Sequence, residues 1–266
     1  MTLLIAERAL RDRRRGLVGW CVGIALYVGL MTMFYPSVHD SAMQRAIRSY
    51  PKEIQAFFGG TRSFDFSTGA GYLNVELFSL VVPALLVIAA VGYGAGALAG
   101  ELEAGTLDLL LANPVTRRRV VLEKVAGLAV TVVTLAAAVA GSVLLVGAFV
   151  DLGVPIDRVA IATLGATLLA FLIGVIAMVV GAATGRRSAA IGAGSVVFVA
   201  GYLIVGLASF VSWLEPLQVV SPLYHADGTN PLQHGLPVAN YLVLLAACVV
   251  AVAAAVVVFD RRDLAR

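Results

Sequence analysis

Six stretches of this sequence run without a single Asp, Glu, Lys, Arg or His: residues 17–35, 77–100, 125–150, 159–183, 190–211 and 237–259. A bilayer core about 30 Å thick is crossed by roughly 20 apolar residues at about 1.5 Å rise each. Only a helix or a closed barrel satisfies its own backbone polar groups in lipid. Runs of this length, apolar all round, predict six membrane-spanning helices and an all-α fold. One domain over 1–266 accommodates them. A cleaved signal peptide would explain the first run, but it is longer than an ordinary signal core and no small-x-small cleavage site follows it.

Between the runs the pattern changes. Within residues 1–16, Leu3, Ala6 and Leu10 share one face, with Leu17 just beyond, and Arg8, Arg11, Asp12 and Arg15 share the other. This amphipathic pattern predicts an interfacial helix, although the arginines also serve as a plain charge anchor. Residues 36–74 form a long segment between the first two runs. Within it "SYPKEIQAFFGG" reads as a short helix with Pro51 in its first turn and Gly59 and Gly60 at its end. Residues 212–236 are broken by prolines and predict no continuous helix. His225, Asp227 and His234 fall in that segment, but without a fourth ligand or regular spacing they make a weak metal motif. His39 has no evident partner for base catalysis.

Composition agrees with the pattern: 60% of the 266 residues are hydrophobic and 13% are charged, against about 25% charged in soluble domains. Charge sets the orientation. Fourteen of the nineteen Lys and Arg residues fall on one side of a six-span topology, at 8–15, 117–124, 186–187 and 261–266. Cytoplasmic loops collect such residues, which predicts that both termini are cytoplasmic and that 36–74 and 212–236 are external. The net charge of +3 reflects this bias and predicts no nucleic-acid partner. Cys21 and Cys248 lie inside spans and read as small apolar residues.

The predicted span cores lack the ionisable residues that mark proton-coupled or ion-coupled transport, which argues against a secondary transporter. They also lack a nucleotide site. A P-loop needs Lys followed by Ser or Thr after a glycine-rich loop, and neither Lys52 nor Lys124 stands in that context. Gly92, Gly96 and Gly100 form two consecutive G-x-x-x-G steps, and Gly19 and Gly23 form another. Such faces let helices approach closely, either within the chain or against a second copy.

One segment concentrates charge: "GELEAGTLDLLLANPVTRRRVVLEK", residues 100–124. Thr106 suits an N-cap, Asp108 suits the first turn of a helix, and Pro114 ends it. Leu107, Leu110 and Leu111 form one apolar face. A two-turn helix is unstable alone in water, so it must dock on something. The segment closely resembles the E-x-E-x-G-T-L-x-x-L-L-x-x-P-V-[ST]-R-x-x-x-x-x-x-K stretch of type-2 ABC exporter permeases. Glu101, Glu103, Gly105, Thr106, Leu107, Leu110, Leu111, Pro114, Val115, Thr116, Arg117 and Lys124 carry the match. The outline of the whole chain is similar to the same family. The resemblance implies that 101–119 holds a cytoplasmic coupling helix resting on a separate ATP-binding subunit. It further implies two such subunits and two permease chains per complex, as a homodimer or a heterodimer of paralogues. ATP and Mg would be bound by the partner, with no cofactor in this chain, and the complex would sit in a prokaryotic inner membrane. A membrane anchor that recruits a regulatory protein through the same loop is the alternative from another functional class.

Overall fold

In the computed structural model, residues 4–38, 68–105, 116–208 and 210–261 are described, with side chains from residue 15 onward. Six helical segments are long and apolar enough to cross a membrane: Arg15–Val38, Gly69–Glu103, Arg117–Gly147, Ile156–Thr184, Arg187–Leu207 and Val238–Asp260. No strand occurs among the described residues. The predicted six-helix, all-α class is the observed one.

The second and third helices outrun the charge-free cores used to predict them, and polar partners accompany the extensions. The second span begins at Gly69 because Thr68 caps it, its hydroxyl accepting from the Gly71 N–H at 3.1 Å. Asn74 and Glu76 therefore lie inside the helix, and Asn74 is buried where its amide donates to Asp227 at 3.1 Å. The third span begins at Arg117, where Thr116 caps it, and the charges that ended its predicted core find partners: Glu123 with Arg119 and Lys124 with Glu101. At the amino end, the predicted interfacial stretch and the first span are one continuous helix, Leu4–Met33. Gly16 does not break it, since a single helical glycine costs only about 1 kcal/mol relative to alanine. The short helix expected around Pro51 lies outside the described residues.

The fourth span, Ile156–Thr184, is the centre of the bundle and packs against the second, third, fifth and sixth. Close approach there depends on missing side chains. A Cβ on Gly94 would run into the backbone carbonyl of Gly174, and one on Gly174 would meet Ala90 and Leu128. The first span packs chiefly on the third. It meets the second through Tyr72, whose hydroxyl donates to the Met31 carbonyl at 2.6 Å and whose ring lies 5.4 Å from that of Tyr35.

Three threonine hydroxyls buried in this apolar interior are satisfied locally. Thr32, Thr131 and Thr163 each donate to the carbonyl four residues back at 2.7–2.8 Å, so no donor among them is stranded away from water. The proline-rich segment after the fifth span folds as three short helical pieces, Glu215–Val220, Pro222–Asp227 and Pro231–His234. The middle piece tucks between the fourth, fifth and sixth spans.

Candidate functional site

The charged segment leaves the second span through a wide π-turn, Gly96–Gly100, and one further helical turn, Glu101–Glu103. Gly105 then takes φ +66°, a conformation that costs glycine little. The chain is described again at Thr116, which caps the third span by accepting from the Arg119 N–H at 3.4 Å. Thr106, Leu107, Leu110, Leu111 and Pro114 lie outside the described residues; Glu101, Glu103, Gly105 and Arg117 lie within them.

These two ends are tied to the bundle by charge. Lys124 is buried about 10 Å into the third span, counting roughly 1.5 Å per residue from Arg117, and its ammonium is paired with the Glu101 carboxylate. Glu123, equally buried, accepts from Arg119 Nε at 2.8 Å one turn earlier. Two buried charges thus each have an opposite partner, as burial demands. Glu103 reaches elsewhere: its Oε1 accepts from the backbone N–H of Arg187 at 2.8 Å, at the first residue of the fifth span. Arg117 and Arg118 reach Asp260 at the end of the sixth span, the first donating to its carbonyl at 3.3 Å and the second lying 3.5 Å from its carboxylate.

The magnitudes separate these contacts. Removing one partner of a buried pair costs roughly 3–5 kcal/mol, and Lys124, with 5% of its side chain exposed, has no access to water as a substitute partner. A carboxylate at a helix N-terminus contributes about 0.5–2 kcal/mol, and the Glu103 contact is exposed. The Arg118–Asp260 pair is also exposed and contributes about 0–1 kcal/mol. Three arginines in the first turn of a helix and an aspartate at the end of another both oppose the helix dipole. Here the two unfavourable ends lie side by side and offset one another.

The sequence pattern gave Glu101 and Glu103 the same standing, as acids beside a docking helix. The structure divides them between two spans. The cue available in the sequence was Lys124: a lysine inside a helix needs an acid close by, and Glu123 is already taken by Arg119 one turn away.

The predicted glycine face behaves differently from the glycines that pack the bundle. Gly92, Gly96 and Gly100 are all half-buried. A Cβ on Gly92 meets nothing within 4 Å, and one on Gly100 only grazes Ala95 and Arg187 at 3.9–4.0 Å. Gly19 and Gly23 likewise face open space and border an apolar groove of about 600 Å³ between the first and second spans. The histidines and aspartate considered for a metal are dispersed. His225 donates from Nε2 to the Val219 carbonyl at 2.8 Å, Asp227 accepts from Asn74, and His234 Nδ1 lies 3.1 Å from the Thr229 carbonyl.

Against known families, residues 3–264 match the profile described as ABC-2 family transporter protein. The chain belongs to the ABC-2 transporter family. It is accordingly a multi-pass membrane protein with a permease role in an ABC transporter, and it works with an ATP-binding subunit. A search of curated proteins returned no match to the sequence. Within this permease, the described parts of the charged segment are the most heavily ion-paired region.

Proposed function

We propose that this permease is the membrane half of an ATP-driven exporter and that residues 106–115 form its docking element for the ATPase. The observation that carries the reading is the anchoring of the two ends of that segment. Glu101 is bound to Lys124 across the base of the second and third spans, and Thr116 caps the third span beside Arg117. A segment held at both ends delivers force to the helices that hold it, whereas a free tether does not.

In this reading the arginine-rich end of the bundle is cytoplasmic, following the distribution of fourteen basic residues against five. Both termini lie on that side of a prokaryotic inner membrane. Two ATPase subunits and two permease chains form the complex, and Gly92, Gly96 and Gly100 offer a helix face to the second permease. Support for that face comes from the open space in front of Gly92 within its own chain. ATP and Mg are bound by the partner.

Reconstitution tests the reading. The purified permease alone, supplied with Mg-ATP, releases no phosphate. Phosphate release appears when its partner ATP-binding subunit is added, and the two co-purify. Hydrolysis by the permease alone, or failure of the two chains to associate, overturns the proposal.

A further inference from the structure

We propose that Glu103 passes the state of the charged loop to the fifth span, an inference that rests on the exporter reading above. The first backbone N–H of the fifth span, on Arg187, is bonded by a carboxylate 84 residues earlier in the chain. The local alternative is unused: Arg186 occupies the cap position in extended conformation, at φ −112° and ψ 118°, and makes no side-chain cap bond. A serine, threonine, aspartate or asparagine at that position would cap the helix by itself. With arginine there, the order of the first turn depends on where Glu103 stands.

Glu103 is placed to move with the loop. It is the last residue of the helical turn Glu101–Glu103 and lies two residues before Gly105, which stands at φ +66°. Its contact is exposed, so water can replace either partner when the two separate. Glu101 is the contrasting neighbour, since its partner Lys124 is buried. The receiving end is also built to respond. Only Gly185 and Arg186 join the fourth span to the fifth, with Gly185 in the left-handed region at φ +69°. Further along, the fifth span is seated closely on the second, where a Cβ on Gly194 would collide with Val91. A shift at Arg187 is therefore levered about a fixed contact. Glu103 acts as a positioning residue, coupling the loop to the bundle.

The test separates a link from a simple cap. Ser188→Cys, at an exposed position in the first turn of the fifth span, is placed in a permease carrying Cys21→Ala and Cys248→Ala. The permease–ATPase complex is reconstituted in nanodiscs. The rate of modification by a fluorescent maleimide is then read with and without Mg-ATP and vanadate. In the parent complex the nucleotide changes that rate. Glu103→Ala loses the change. Glu103→Ala combined with Arg186→Ser regains the parent's thermal stability, because the introduced serine caps the helix locally, yet still lacks the nucleotide response. Arg186→Ser alone keeps the response. A double variant that recovers the full response overturns the link and leaves Glu103 as a cap, and so does a parent complex whose labelling site ignores nucleotide. A permease from which no ATPase co-purifies overturns the exporter reading itself.

Discussion

At the level of single residues, Lys124 governs how the base of the bundle tolerates change. It is 4% exposed as a residue and its partner Glu101 comes from another span, so the pair closes the loop at its root. Glu101→Ala strands a buried ammonium and lowers stability by roughly 3–5 kcal/mol. Glu103→Ala removes one exposed cap contact and lowers it by about 0.5–2 kcal/mol. Thermal unfolding of the detergent-solubilised variants checks this order. Glu101→Leu combined with Lys124→Met restores most of the loss, because a buried ion pair is replaceable by apolar groups of similar size. Equal shifts for the two alanine variants contradict the assignment. Sequence alone assigned both glutamates to the loop and missed this difference; the structure carries them in the last turn of the second span. Which acid meets Lys124 depends on the crossing of two helices, and no local spacing encodes that.

Whole helices show where the sequence was legible and where it was not. Charge-free runs located all six spans, because lipid demands an unbroken apolar length and the chain supplies it. Their ends were drawn too short wherever polar residues found partners inside the fold, as Asn74 does with Asp227 and Glu123 with Arg119. Glycine spacing alone likewise did not single out the contacts that pack the bundle. The regular spacing of Gly92, Gly96 and Gly100 drew attention, yet the second and fourth spans touch closely where Gly94 meets Gly174. Gly94→Ala pushes a methyl group into the Gly174 carbonyl and costs about 1–3 kcal/mol or more as overpacking. Gly92→Ala meets open space and leaves the single chain as stable or up to about 1 kcal/mol more stable, through better helix propensity. Folded yield and unfolding temperature of the two variants distinguish them, and destabilisation by Gly92→Ala would show that this face is packed within the chain.

For the molecule as a whole, membership of the ABC-2 family and the anchored loop converge on one account. In the proposed account the permease carries the spans, a separate ATPase carries the chemistry, and residues 106–115 join them. Those residues also held the clearest functional signal in the sequence: a leucine face, a cap and a proline stop within a charged surround. The most direct measurement compares ATPase co-purification and ATP-driven response for Leu110→Asp and Leu111→Asp against membrane insertion of the same variants. Burying a leucine contributes roughly 1.5–3 kcal/mol, and an aspartate in its place puts an unpaired charge in the partner's groove. Both variants are expected to insert normally while losing the ATPase, or keeping it without coupling. Variants that insert, bind the ATPase and respond to ATP at the parental level would contradict the assignment of this loop as the coupling element.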